Sequence, residues 1–439
     1  MTGLTADRRF EALVLLEAAL ERGDRADELR SRVESLEGLG MHVAALRAAH
    51  AEAEAARAFA ELRRRGVPPE LVAVAGKPLR ALAEREGAAV VSLDEGALLA
   101  LLEDQLRRRR EGDVPDVSND PEWTLVLEGV DPELERAHET LLTIADGRLG
   151  TRGGPLFAHP AASPGVLAAG VYRGEGPESE LLPCPDWWRL LGEAAPSGRL
   201  RRVLDLRSGL LRHDLEADGG PVRALLFSSL ARPGTVVLRA CAPPALLEEE
   251  LRIVAAPGTT AAQAGVEGER RWMRVTASPG GVACAAVERR RADNPRRALD
   301  RIGAYRADPA RAPAPEAALE SLREAEEAGF ERLLGEHREV WARRWASADV
   351  VLEGDPELQQ AVRFALFHLM ASVADSGEAA VGARGLTGPG YRGHVFWDSD
   401  VFVLPFLAST HPPAARAMLE YRVRRLPAAC AAARAGGRA

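Results

Sequence analysis

Residues 385–402 read Gly-Leu-Thr-Gly-Pro-Gly-Tyr-Arg-Gly-His-Val-Phe-Trp-Asp-Ser-Asp-Val-Phe and hold the most informative pattern of this 439-residue chain. An aromatic plate, Trp397, stands next to a carboxylate, Asp398. A pyranose ring offers an apolar C–H face, which an indole can cover, and hydroxyls whose protons a carboxylate can accept in pairs. Glycines punctuate the segment and let a ligand approach the main chain. The stretch therefore predicts a turn that binds a sugar.

The same turn carries further side chains that we assign to the candidate substrate site because they add aromatic surface and hydrogen-bonding groups: Tyr391, Arg392, His394 and Phe396. One alternative is a metal ion held by His394, Asp398 and Asp400, since imidazole and carboxylate ligands so close in sequence can converge. The sugar site is the prediction that we prefer. It requires neither a metal nor a cofactor.

The longer segment 392–406, RGHVFWDSDVFVLPF, closely resembles the signature of glycoside hydrolase family 65. That family contains inverting phosphorylases and hydrolases that act on trehalose, maltose, kojibiose and related α-glucosides. Further segments that resemble family motifs are residues 139–153, 341–345, 353–355 and 360–368. The resemblance spans roughly residues 121–439. It implies a large antiparallel β-sandwich followed by an (α/α)6 barrel.

The resemblance also implies roles for individual residues. In the family, the adjacent Trp and Asp contact the glucosyl unit in the subsite before the scissile bond, and here these are Trp397 and Asp398. Family members carry their general-acid Glu far beyond this pair, and we expect the chain, which ends at Ala439, to lack it. We therefore assign no catalytic residue and expect a C-terminally truncated, inactive chain with only the opening helices of the barrel. The alternative is a non-catalytic remnant that binds carbohydrate or acts as an interaction module.

The partners that the resemblance implies are a small α-glucoside disaccharide and inorganic phosphate. It leaves open which disaccharide is used, whether phosphate or water attacks, and whether the chain forms a homodimer. The formal charge of −8 and the pI near 5.8 favour no nucleic-acid partner. The sequence lacks a signal-like start and a long apolar run, so we expect no membrane partner. Four cysteines without paired spacing indicate reduced thiols in a cytoplasmic protein.

Residues 1–113 form a small α/β unit in our prediction. Three short apolar runs predict buried strands of a parallel sheet, at residues 10–16, 41–46 and 71–75. The layout resembles a haloacid-dehalogenase-like domain, as in fusions with trehalose-phosphatase modules. Phosphatase chemistry there needs an Asp nucleophile just after the first strand, and residues 10–20 contain no Asp. We expect a degenerate unit without phosphatase activity.

The rest of the chain divides by composition. Residues 114–121 are polar and proline-containing and predict a linker. Residues 122–310 consist of short alternating runs broken by Gly and Pro, which is typical of an antiparallel β-sandwich. Residues 311–350 predict a linking helix, and residues 351–439 the start of the helical barrel. The Asp205-Leu-Arg-Ser-Gly209 motif resembles a family strand motif, and we interpret it as a structural turn.

Several helical details follow from spacing and from helix-end residues. Apolar residues of the linking helix fall on one stripe with His337, which we interpret as a packed residue: Phe330, Leu333, Leu334 and Trp341. Asp355 and Pro356 predict the start of the next helix. Its predicted buried face carries Leu358, Val362, Leu366, Leu369, Met370 and Val373. His368 on that helix should pack in the core, Pro405 should bend a later helix, and Pro427 should split the last one.

Overall fold

The computed structural model describes most of the chain after residue 113. The described residues are 12–15, 71–74, 90–92 and 114–436, the last range without 119, 164, 175, 192–197, 248–249, 258, 260–261, 278–279, 291–296 and 376–379. Where the first three ranges are concerned, only the backbone is described.

The N-terminal unit contains a three-stranded parallel sheet. Strands β1 (Ala12–Leu15), β2 (Leu71–Val74) and β3 (Val90–Ser92) lie in that order, with Ala12 opposite Leu71 and Val72 opposite Val90. This confirms two of the predicted strands and their parallel arrangement. The predicted strand at residues 41–46 lies outside the described residues, and β3 was not predicted. The likeness to a haloacid-dehalogenase domain stays a prediction.

Two antiparallel sheets follow and confirm the predicted β-sandwich. The small sheet has the order β5-β6-β7-β8. Its strands are β5 (Ile144–Ala145), β6 (Leu149–Thr151), β7 (Val166–Arg173) and β8 (Glu180–Cys184). The large sheet has nine strands in the order β13-β14-β15-β16-β12-β11-β10-β9-β4. They are β4 (Thr124–Glu128), β9 (Gly198–Asp205), β10 (Leu210–Ala217), β11 (Gly220–Ser228), β12 (Thr235–Ala242), β13 (Ala262–Glu267), β14 (Arg270–Thr276), β15 (Gly281–Arg290) and β16 (Arg297–Asp308).

The central strands of the large sheet are buried on both faces. Because successive strand residues point to opposite faces, Ala224 and Leu226 of β11 join the core shared with the small sheet. Leu225 and Phe227 of the same strand join a second core on the other face. A short helix, α1 (Glu135–Leu141), precedes the small sheet and contributes the buried carboxylates Glu135 and Glu139. The central strands therefore carry buried apolar residues on both faces, unlike the strands of a sheet with one solvated face.

The linking helix α2 (Pro315–Ala348) covers the second face of the large sheet. The predicted stripe is confirmed: the residues of α2 that we assigned to it are all buried. Its N-terminal half packs on the second core, and its Trp341 and Trp345 reach the core between the sheets. Gly329 interrupts the helix with a φ of 70°, a conformation that glycine adopts without steric cost.

Helix α3 (Pro356–Ala371) begins where predicted, and its buried face agrees with the prediction in part. The Asp355 side chain accepts the Leu358 N–H at 3.0 Å, which confirms the N-cap. Met370 and Val373 are buried as predicted, whereas Leu358 is exposed; the other predicted residues, Val362, Leu366 and Leu369, are half-buried. The buried face extends to Gln359 and Arg363 because these polar residues have specific partners. The Arg363 guanidinium pairs with Asp349 at 3.0 Å and lies 3.9 Å from the centre of the Trp123 ring.

The candidate turn lies between α3 and the last helices of the chain. Residues Gly390–Gly393 form a 3-10 turn, Ser399–Val403 a π-helix, and α4 (Leu404–Thr410) follows. Pro405 lies in the first turn of α4, directly after the π-helix, so the hydrogen-bond pattern changes beside it, and the bend expected at Pro405 stays a prediction. The final helix α5 (Pro412–Ala435) continues through Pro427. The predicted split at Pro427 is wrong, because a largely exposed helix can lose one backbone hydrogen bond without ending there.

Candidate functional site

The candidate turn contains a strained backbone. Tyr391 and Arg392 have φ values of 54° and 55°, and they are the non-glycine residues with positive φ in the described part of the chain. The left-handed region is unfavourable for a residue that carries a Cβ. Two consecutive residues of this kind persist only where the surroundings hold them. The geometry of this turn is therefore imposed by its contacts.

Those contacts come from the hairpin of β7 and β8 in the small sheet. The Tyr172 hydroxyl donates to the Gly393 carbonyl at 2.8 Å. The His394 Nε2–H donates to the Ser179 carbonyl at 2.6 Å. Gly393 has a φ of 74°, and a Cβ there would lie 2.1 Å from the side chain of Leu181. The hairpin and the turn thus fit together so closely that only glycine is accommodated at position 393.

The side chains of the turn divide into those that hold it and those that face outward. Arg392 forms an ion pair with Glu178 of the hairpin loop. The ring of His394 packs edge-on against Tyr172, with 5.5 Å between ring centres. Tyr391 and Phe396 are exposed and contact each other edge-on, with 5.8 Å between ring centres. Of the predicted site residues, Arg392 and His394 are engaged with the protein, and the two aromatic rings are accessible.

Trp397 and Asp398 are both accessible on the turn. The Trp397 side chain is 65% exposed, and Asp398 is exposed as well. Asp398 has helical backbone angles and its side chain makes no N-cap hydrogen bond. Within the described residues, the Asp398 carboxylate has no hydrogen-bond or ion-pair partner. An exposed indole and a carboxylate without a protein partner therefore lie side by side on a turn of fixed geometry.

The Asp400 carboxylate, unlike that of Asp398, has a protein partner. It accepts a hydrogen bond from the Arg422 Nε–H at 2.9 Å and forms an ion pair with Arg422 Nη2 at 2.7 Å, and that Nη2 also donates to the Phe396 carbonyl at 2.8 Å. Asp400 thereby ties the π-helix to α5. Since His394 and Asp400 both have protein partners, the alternative metal site loses two of its three ligands. No group of His, Cys, Asp and Glu side chains in the described residues could hold a metal ion.

Two histidines that we interpreted as packed residues are confirmed in that role. Burial lowers the pKa of His337 to about 3, and its Nδ1 accepts the Leu230 N–H at 3.2 Å. Burial likewise lowers the pKa of His368 to about 4, and its Nε2–H donates to the Leu141 carbonyl at 3.2 Å. Both rings are neutral near pH 7. Neither belongs to the candidate site.

Asp205 is confirmed as a turn residue. Its carboxylate accepts the Ser208 hydroxyl at 2.7 Å and the Arg207 N–H at 2.9 Å, which closes the tight connection between β9 and β10. It also accepts the Ser118 N–H at 3.3 Å. Part of the segment 114–121, which we predicted as a linker, therefore packs against the large sheet.

Sequence reasoning missed the hairpin residues of the site. Tyr172 and Gly393 are 221 positions apart, and Ser179 and His394 are 215 apart. No local pattern marks either pair, because both contacts exist only in the folded chain. Burial raises the pKa of Tyr172 to about 12, so its hydroxyl stays protonated and remains a donor across the physiological range.

The chain is a β-sandwich followed by helices, with an exposed Trp–Asp pair on the turn between α3 and α4. Residues 125–290 match the N-terminal domain of glycosyl hydrolase family 65, and residues 363–439 match the central catalytic domain of the same family. These two matches assign both regions of the chain to glycosyl hydrolase family 65.

Individual relatives agree. The chain is 46% identical over 112 residues to an alpha,alpha-trehalose phosphorylase of Thermoanaerobacter brockii, covering 26% of this chain and 14% of the relative. It is 27% identical over 384 residues to a kojibiose phosphorylase of Caldanaerobacter subterraneus, covering 72% and 50%. An uncharacterized glycosyl hydrolase of Mycobacterium tuberculosis is 31% identical over 396 residues, covering 73% and 30%. The chain thus spans half or less of the length of these relatives.

A solved structure shares the fold. The protein named "Putative kojibiose phosphorylase from human microbiome" superimposes with a TM-score of 0.60 at 16% sequence identity, covering 71% of this chain and 47% of that one. At this identity the likeness supports the architecture alone. It agrees with a large sandwich followed by the start of a helical barrel.

Proposed function

We propose that residues 385–402 recognise the glucosyl unit of an α-glucoside such as kojibiose, trehalose or maltose, as part of a protein that cleaves the glycosidic bond. The observation that carries this proposal is the exposed Trp397 beside an unpartnered Asp398 on a turn with imposed geometry. The indole supplies an apolar surface for one face of the ring. The carboxylate accepts two neighbouring hydroxyls, and charge-assisted bonds of this kind are about twice as strong as neutral ones.

The reaction that we propose is cleavage with inversion at the anomeric carbon. One carboxylic acid protonates the leaving glycosidic oxygen while a nucleophile attacks from the opposite face. Water as the nucleophile requires a second carboxylate as a base, whereas phosphate supplies its own nucleophilic oxygen. The names of two relatives, a trehalose phosphorylase and a kojibiose phosphorylase, favour phosphate as the partner.

The turn itself serves recognition rather than proton transfer. Asp400 is held by Arg422, and Asp398 is placed to accept hydroxyl protons from the sugar. Neither carboxyl group is available to protonate a leaving group. As a separate expectation, we propose that this chain by itself binds the disaccharide without turning it over. Release of glucose 1-phosphate in the presence of inorganic phosphate would contradict that part of the proposal.

Saturation-transfer NMR with kojibiose, trehalose and maltose tests the binding. We expect contact with at least one of these disaccharides in the native chain and its loss in Trp397→Ala. Phe402→Ala is the matched control, because Phe402 is 71% exposed in the same segment. If none of the three sugars binds, or if both substitutions weaken binding equally, the proposed site is wrong.

A further inference from the structure

The hairpin of β7 and β8 belongs to the small sheet, whereas the turn lies in the helical region after α3. The hairpin nevertheless makes the contacts that fix the turn. Tyr172 binds the Gly393 carbonyl, and the Ser179 carbonyl receives the His394 N–H. Glu178 pairs with Arg392, one of the two left-handed residues. An unfavourable backbone conformation held by contacts from a distant element is a feature that recurs at ligand sites.

The fixed conformation extends directly to the exposed pair. Gly393 and Trp397 are separated by three residues, so the direction in which the chain leaves Gly393 determines where the indole lies. After Trp397 the backbone is already fixed, because the Trp397 carbonyl accepts the Asp400 N–H at 2.9 Å and Arg422 holds Asp400. The β7–β8 hairpin of the sandwich therefore fixes the N-terminal end of the segment that carries Trp397 and Asp398.

We propose that the β7–β8 hairpin is a working part of the sugar site and that Tyr172 is a positioning residue for Trp397 and Asp398. This inference rests on the proposed function of residues 385–402. Tyr172 acts through the Gly393 carbonyl and does not need to touch the sugar. With this bond in place, the turn stays in the left-handed conformation, and the sugar meets a surface that is already ordered.

Tyr172→Phe tests the proposal because it removes one hydroxyl and keeps the ring that packs on His394. The chain offers a matched control: the Tyr305 hydroxyl also donates to a backbone carbonyl, that of Pro185, at the same distance of 2.8 Å. Both variants lose one tyrosine–carbonyl hydrogen bond. Only Tyr172→Phe loses it at the turn.

Two readouts are compared in native protein, Tyr172→Phe and Tyr305→Phe. The first is the Kd of whichever of kojibiose, trehalose and maltose the native chain binds most tightly. We expect a rise of about threefold to tenfold for Tyr172→Phe, the range that loss of one neutral hydrogen bond gives, and less than about twofold for Tyr305→Phe. The second is amide hydrogen exchange of residues 390–397 without sugar, which should become faster in Tyr172→Phe and stay unchanged in the control.

The two readouts separate the failure of this inference from the failure of the proposed function. Unchanged exchange of residues 390–397 and an unchanged Kd in Tyr172→Phe would overturn the positioning role. Equal losses of affinity in the two variants would do the same, because they would indicate a general effect on the fold. Faster exchange of the turn in a protein that binds none of the sugars would support the contact and overturn the function assigned to the turn.

Discussion

The β-sandwich and the terminal helices that follow it differ in how completely they bury their side chains. In the sandwich, even an ion pair is enclosed: Arg202 and Glu135 are both fully buried and share two hydrogen bonds, at 2.6 and 2.8 Å. In the helices, large apolar side chains face outward, namely Leu358, Val401, Phe402, Leu419, Val423 and Leu426. Because burial of apolar side chains stabilises a fold, we expect the sandwich to contribute more to the free energy of unfolding than the terminal helices. The recognition residues lie in the more open region and depend on the sandwich for their placement.

The largest effect that this comparison predicts is the loss of the buried pair. Arg202→Ala leaves the Glu135 carboxylate buried without its partner, and removing one member of a buried pair costs about 3–5 kcal/mol. Arg202 also donates to the Gly129 and Gly153 carbonyls, both at 3.1 Å, so the loops beside α1 lose bonds too. Urea denaturation of the native and variant proteins gives the difference in free energy of unfolding.

The control for that substitution is Arg199→Ala. Arg199 pairs with Glu128 at 3.2 Å on the exposed part of the same strand, and exposed pairs contribute less than about 1 kcal/mol. Equal losses for Arg202→Ala and Arg199→Ala would show that burial of charge is not what distinguishes the sandwich.

A matched pair of valines sharpens the comparison between the two regions. Val287 on β15 is 0% exposed, and Val423 on α5 is 70% exposed. Val287→Ala removes buried methyl groups and leaves a cavity, so we expect about 2 kcal/mol of destabilisation. Val423→Ala should change the free energy of unfolding by less than about 0.5 kcal/mol. Similar losses in urea denaturation would mean that α5 is packed as tightly as the sandwich.

The next prediction concerns the loss of folding stability at acidic pH. Burial, and then the charge of Arg202, lower the pKa of His213 to about 3, whereas in the unfolded chain it is near 6.5. Between these values the unfolded chain binds a proton that the folded chain does not. The stabilisation is therefore complete above about pH 6.5 and is lost as the pH falls toward 3.

His213→Leu should remove this contribution, which amounts to roughly 1–2 kcal/mol between pH 7 and 5. Neither ring nitrogen of His213 has a hydrogen-bond partner in the described residues, so the substitution sacrifices no such bond. Urea denaturation at a series of pH values measures the slope. An identical slope for the variant and the native protein would show that His213 does not titrate on unfolding.

Local sequence patterns predict the elements whose contacts lie close in sequence. The alternation in residues 122–310 predicts the sandwich, and the Asp355-Pro356 pair predicts the start of α3, because capping depends on residues three positions apart. The buried face of α3 was predicted in part: Met370 and Val373 are buried as expected, and Leu358 is exposed. Apolar spacing does not mark the burial of Arg363, which depends on Glu122, 241 positions away.

In the candidate site as well, the sequence predicts only the features that depend on neighbouring residues. The neighbouring Trp397 and Asp398 can be found in the sequence, because the chemistry of sugar binding is visible in the residue types themselves. The strained backbone of Tyr391 and Arg392 and its attachment to Tyr172 cannot be found there. They depend on a contact across 221 positions, and no periodicity or motif in a single sequence encodes such a contact.

The central claim is that the turn recognises a glucosyl unit through Asp398, and one measurement tests it most directly. This is the Kd of the bound disaccharide in native protein and in Asp398→Asn, measured by isothermal titration together with the Tm. The variant keeps the shape and loses the charge of an acceptor, and a charged hydrogen bond contributes about 1.5–3 kcal/mol. We predict a Kd raised about tenfold to a hundredfold with an unchanged Tm, and no change for Asp355→Asn, which alters a helix cap outside the turn. An unchanged Kd in Asp398→Asn with an unchanged Tm would contradict the account.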